Sequence, residues 1–166
     1  MNTSEVIFEV NNLVQEFTQG KYSKNVVHAL NGVSLNVYKG ETLGLVGETG
    51  CGKSTLCRAI MRLYKPTSGS VKYKGRDITR LHEWSLRDVR RNVQMIFQDP
   101  YASMNPRFKI RDVLQEPLII HRIKGSRKEH DERIIKALKE VKLNPPEEFM
   151  GRYPHMLSGG QRQRIA

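Results

Sequence analysis

The chain has 166 residues, 38% of them hydrophobic and 27% charged, with 28 Lys and Arg against 17 Asp and Glu for a net charge of +11. That length supports one domain with its own core, and no apolar run approaches the roughly eighteen residues of a membrane span. Cys51 and Cys57 make neither a disulfide framework nor a zinc spacing, and the five histidines are scattered without ligand spacing.

The basic balance permits attraction to nucleic acid or anionic lipid. The Lys and Arg residues are spread along the chain, however, without aromatic interleaving, which favours a solvated surface. Residues 1–5 carry no basic region leading into an apolar core, so no secretory signal is read there.

In chain order, residues 6–10 are rich in β-formers and predict a strand. Asn11, Asn12, Gly20 and residues 21–25 predict turns and a polar loop. Residues 30–37 alternate apolar and polar, as a half-buried antiparallel strand does. Residues 42–46 are a short apolar run and predict a buried strand, and residues 56–63 carry helical spacing. Turn chemistry at 66–69 and 75–77 brackets a short strand at 71–73. Ser85 and Asp88 stand at capping-box spacing, and residues 93–97 predict a second buried strand ending at Gln98. Residues 110–120 predict a helix that Pro117 kinks or ends. Ser126 and Glu129 form another capping box, followed by an amphipathic helix through Ile134, Ile135, Leu138 and Val141. Asn144-Pro145-Pro146 stops that helix.

Between the strand at 42–46 and the helix at 56–63 lies Gly47-Glu48-Thr49-Gly50-Cys51-Gly52-Lys53-Ser54-Thr55. It fits G-x-x-x-x-G-K-[ST] at every fixed position, in the strand–loop–helix context that the motif requires. A triphosphate carries several negative charges on closely spaced oxygens, and a wrapped glycine loop can aim many backbone N–H groups at them. The helix it opens adds its N-terminal amides and dipole. Lys53 is placed to reach the β- and γ-phosphates, and the Ser54 hydroxyl to ligate Mg²⁺. Nearer the C-terminus, Leu157-Ser158-Gly159-Gly160-Gln161 is a second helix start, with Ser158 and Gln161 at capping-box spacing and two glycines leaving the first turn open.

The phosphate loop, Gln98 and the Ser158–Gln161 stretch, in that order, resemble the Walker A, Q-loop and signature sequences of ABC transporter ATP-binding subunits. Residues 39–48 and 96–107 resemble the oligopeptide/dipeptide importer branch, and Cys51 its second ATPase subunit. The resemblance implies an α/β fold of the P-loop NTPase, ABC type. It would comprise an N-terminal antiparallel β region, a partial RecA-like core and a helical subdomain. The expected divisions are residues 1–99, residues 100–157, and residues 157–166 with the signature.

The resemblance also implies roles. Gly47 to Thr55 would hold ATP and Mg²⁺, with Gln98 contacting metal and attacking water. Phe17, or alternatively Tyr22, would stack on adenine. Ser158, Gly159, Gly160 and Gln161 would contact ATP held by the opposite subunit of a head-to-tail dimer. The partners implied are a second ATPase subunit, two transmembrane permeases and, indirectly, an extracytoplasmic peptide-binding protein. The implied location is the cytoplasmic face of the membrane, peripherally attached, and the implied activity is an ATPase driving peptide uptake.

Alternative readings are a soluble ABC-type ATPase acting on nucleic acid or ribosomes, and a non-catalytic nucleotide-binding fragment. The Asp-Glu strand and the switch histidine that complete the family's pattern are not found in these residues. The expectation is therefore a piece of a longer protein that binds nucleotide but scarcely hydrolyses it alone. Without further strands, the segments at 42–46 and 93–97 are expected to leave apolar surface and unpaired backbone.

Overall fold

The computed structural model describes residues 5–18, 25–97 and 104–166. Between Gln94 and Met95 the chain divides into two units, each with an apolar core.

In the first unit, β1 (Val6–Thr18), β2 (Val26–Tyr38), β3 (Ser68–Tyr73) and β4 (Arg76–Asp77) form an antiparallel sheet in the order β2-β1-β3-β4. β1 runs well past the predicted strand at 6–10. Asn11 and Asn12, predicted as turn residues, are taken up as an irregularity in the ladder, with Asn12 at φ 45°. Phe8 and Val10 are buried before it, Leu13 and Gln15 after it. The irregularity has shifted the inward-facing parity by one, which brings Leu13 onto the core face together with the polar Gln15. Gly69 lies against it at φ 85°, where a Cβ would overlap the carbonyls of Asn11 and Asn12.

Two helices cover this sheet's core. α1 (Lys53–Ile60) contributes Leu56 and Ala59, and α2 (Glu83–Asn92) contributes Leu86 and Val89. α2 starts at Glu83, upstream of the predicted capping box. His82 is its N-cap without a side-chain bond, and Glu83 instead pairs with Arg90 at 2.7 Å. The chain leaves α1 through Arg62, whose buried guanidinium donates to the carbonyls of Ile78 (3.0 Å), Tyr64 (3.3 Å) and Leu81 (3.4 Å). The Arg62 carbonyl in turn accepts from Arg90 at 3.2 Å.

Two predicted strands do not form. Residues 42–46 and 93–97 have no regular secondary structure and join no ladder. Val46 is 99% and Ile96 78% exposed, although both read as core residues in the sequence. An apolar run becomes a strand only when another strand takes up its N–H and C=O groups. Among the described residues none does.

The second unit is helical: α3 (Ile110–Ile120), α4 (Arg127–Glu140), α5 (Pro146–Gly151), a 3-10 turn (Pro154–Met156) and α6 (Gly159–Ile165). Its core includes Ile110, Ile134, Leu138, Leu143, Phe149 and Leu157. Pro117 sits inside α3 without ending it. The bond that its missing N–H would make to Val113 is forgone, and the helix continues to Ile120. Ser126 caps α4 with the predicted reciprocal box to Glu129. Arg111 of α3 pairs with Asp131 of α4 at 2.7 Å. The predicted stop at Asn144-Pro145-Pro146 begins a new helix, because proline fits the first helical position.

Three helices end alike, each on a basic residue in the left-handed region. For α1 it is Arg62 (φ 55°), for α3 Arg122 (φ 53°) and for α4 Lys142 (φ 59°). In each case the next amide reaches back to close the helix: Leu63 to Arg58, Ile123 to Leu118, and Leu143 to Leu138. This is a Schellman closure without glycine.

Candidate nucleotide site

The phosphate loop leaves the unpaired segment at 42–46 and turns at Gly50, with the Cys51 amide donating to the Glu48 carbonyl at 3.3 Å. Lys53 curls back over the loop. Its Nζ donates to the carbonyls of Gly47 and Glu48, each at 2.6 Å, and lies 3.4 Å from Cys51 Sγ. The loop thus wraps around an ammonium group through its own backbone.

α1 opens at Gly52, which adopts φ 95° and offers no side-chain cap. The first amides of a helix have no partner within the helix, so the uncapped turn over Lys53, Ser54 and Thr55 presents donors and positive dipole to a ligand. Glycine at position 52 is required twice over. Its φ disfavours L side chains, and a Cβ there would overlap the Ala29 carbonyl of β2. That close approach seats the loop on the sheet.

Phe17 lies at the same end of the β1–β2 ribbon. It pairs with Val27, two positions before the Ala29 against which Gly52 is pressed. Its ring is half-buried and makes an edge contact with Tyr64, at 5.2 Å between centroids and 80° between planes. Beside this contact the Glu16 amide donates to Thr67 Oγ1 at 3.0 Å, and Glu16 pairs with His28 at 3.0 Å. Sequence reading singled out Phe17 but missed Tyr64 and Ala29. Neither has a motif, and only the folded chain brings Ala29 against Gly52 and Tyr64 against Phe17. Tyr22, the alternative to Phe17, and Gln98 lie outside the described residues.

In the second unit, Ser158 and Gln161 form the predicted capping box: Ser158 Oγ accepts from the Gln161 amide at 3.2 Å, and Gln161 Oε1 from the Ser158 amide at 2.9 Å. Gly159 and Gly160 are exposed, with open space where a Cβ would stand. Two arginines secure this turn in ways the sequence did not announce. Arg162, buried, donates to the Pro154 carbonyl at 3.1 Å, and Arg164 to the Val141 carbonyl at 3.0 Å.

Residues 30–166 match the family model described as ABC transporter. The chain belongs to the ABC transporter family. Its similarity to individual ABC proteins extends over nearly its full length. It is 49% identical to the oligopeptide transport ATP-binding protein AppF of Bacillus subtilis, over 97% of this chain and 50% of that protein. It is 53% identical to the di/tripeptide transport ATP-binding protein DppF of Pseudomonas aeruginosa, over 84% and 42% respectively. The chain thus spans about half the length of the curated relatives it matches.

Among solved structures, it resembles the ATP-binding cassette MJ0796 bound to ADP and phosphate, with a TM-score of 0.82 and 30% identity. The match covers 96% of this chain and 66% of that one. The ABC cassette fold expected from the sequence is therefore present in part. Among the described residues no helix is long and apolar enough to cross a membrane.

Proposed function

We propose that this chain is the nucleotide-binding portion of an ABC importer's ATP-binding subunit, coupling ATP binding and hydrolysis to uptake of oligopeptides or dipeptides. The observation that carries the nucleotide reading is the loop itself: an uncapped helix start on an obligatory glycine, with Lys53 folded over the cradle. Substrate class rests on the relatives, which are named for oligopeptide and di/tripeptide transport.

The residues divide the work. The backbone of Gly47 to Gly52 surrounds the phosphates, and Lys53 exchanges its two carbonyl partners for phosphate oxygens. Phe17 offers a ring face to the base. Ser54 and Gln98 would hold Mg²⁺, which supplies charge neutralisation between phosphate oxygens. Ser158, Gly159, Gly160 and Gln161 would meet the nucleotide of the opposite ATPase subunit in a head-to-tail dimer. The dimer would sit beneath two permease subunits, on the cytoplasmic face of the membrane, and be fed by an extracytoplasmic peptide-binding protein. Lys53 and a helix start stabilise charge but do not orient an attacking water, so the 166 residues alone bind nucleotide and turn it over hardly at all.

Equilibrium ATP binding by Lys53→Ala tests the site. Losing charge-assisted bonds to phosphate should weaken affinity by about tenfold or more, and unchanged affinity would refute the reading. Uptake of a labelled oligopeptide by cells carrying the full-length protein tests the cargo. Uptake that persists in the Lys53→Ala strain would assign the transport to another system.

A further inference from the structure

We infer that Tyr64 is a positioning residue for nucleotide recognition, holding the Phe17 ring at the angle at which it receives the base. The inference rests on the reading of Phe17 as the base-stacking residue and extends it to a second aromatic that no motif marks.

Three observations carry it. First, Tyr64 makes the edge contact with Phe17 at 5.2 Å and 80°, an arrangement favoured by the ring quadrupoles. It braces Phe17 while leaving that ring only half-buried. Second, Tyr64 is itself held. Arg58 donates to its hydroxyl at 3.3 Å and places its guanidinium 5.8 Å from the ring centroid, while Arg62 donates to its carbonyl at 3.3 Å. Third, the segment carrying Tyr64 is fastened to the strand carrying Phe17. The Thr67 amide donates to the Val14 carbonyl at 2.9 Å, and Thr67 Oγ1 accepts from the Glu16 amide.

The same helix, α1, therefore presents its first turn to the phosphates and, through Arg58 and the residue just beyond its end, sets the ring for the base. Phe17 sits at the end of a strand, where an unsupported side chain would sample several rotamers. Ordering it in advance removes part of the entropy that binding would otherwise cost.

The test uses two probes on the full-length protein: ATP, and inorganic tripolyphosphate, which has the phosphates without the base. Tyr64→Ala should weaken ATP by about three- to tenfold, the range of one aromatic contact, and leave tripolyphosphate unchanged. Tyr64→Phe, which keeps the ring and serves if the alanine variant folds poorly, should stay within about twofold of the parent. The double variant with Phe17→Ala should bind ATP no more weakly than Phe17→Ala alone.

Equal losses for both probes, or an additive loss in the double variant, would overturn the positioning role. So would a Phe17→Ala defect with no Tyr64→Ala defect. ATP binding that is indifferent to Phe17→Ala would instead sink the stacking reading on which this one stands.

Discussion

Gly52 is the residue on which the site is most narrowly poised. It combines a left-handed backbone with contact against the Ala29 carbonyl, so Gly52→Ala must both strain the loop and push it off β2. We expect a loss of about 2 kcal/mol in stability, read from a denaturant midpoint in the full-length protein, together with loss of ATP binding. A variant that keeps the parent's midpoint would mean that the loop can lift away from the sheet at little cost. Lys53 is equally local in its logic, because the backbone carbonyls of Gly47 and Glu48 hold its ammonium in place before the ligand arrives. These residue-scale features were the most legible ones, since a phosphate loop specifies its chemistry through contiguous residues. The contacts made from elsewhere, Ala29 against Gly52 and Tyr64 against Phe17, were not legible. They are brought in by pairing and packing from elsewhere in the chain.

Among the elements, helix starts were readable where Ser and Glu or Gln stand three apart, as at Ser126 and Ser158, because the bonds involved are local. Helix ends were not, because the usual signal, a glycine, is replaced by Arg62, Arg122 and Lys142 in the left-handed region. Lys142 is exposed, and its closure already brings buried Leu143 back to buried Leu138. Lys142→Gly should therefore raise stability by about 0.5–1 kcal/mol, by relieving the left-handed strain, with a higher melting temperature as the readout. A lowered melting temperature would mean that the lysine side chain contributes more than its backbone costs.

The turn out of β4 carries a pH dependence. Hydrogen bonds from Thr79, its side chain and then its amide, hold the Asp77 carboxyl below its ordinary value. The Thr79 hydroxyl also accepts from the Val71 amide at 2.7 Å within the core. A depressed folded pKa means that the ionised carboxylate contributes stability above the usual aspartate range, and that this is lost as pH falls through the folded value. The destabilisation caused by Asp77→Ala should accordingly be greatest near neutrality and shrink on acidification below about pH 4. A penalty independent of pH would remove the ionised carboxylate from the account.

For the molecule as a whole, the segments at 42–46 and 93–97 are decisive. Their apolar sequences predict strands of a buried sheet, and those strands do not form. A ladder, however, is a property of two segments, and no described strand lies beside either of them. Leu43, Leu45, Val46, Ile96 and Phe97 are left exposed. Unpaired edges with apolar side chains invite association. The 166-residue chain alone should therefore bind a dye that fluoresces on apolar surface, and should grow in sedimentation size with concentration. A monomer that ignores the dye would mean that these segments find cover within the chain itself.

Arg62 joins the end of α1 to the Ile78 and Leu81 carbonyls and, through its own carbonyl, to Arg90 of α2. Its guanidinium is buried, so releasing any one of these partners leaves a cation short of acceptors away from water, a cost that resists partial release. The two helices are thereby made to fluctuate together. In native-state hydrogen exchange, the amides of α1 and α2 should share a single opening free energy, and Arg62→Ala should split it into two.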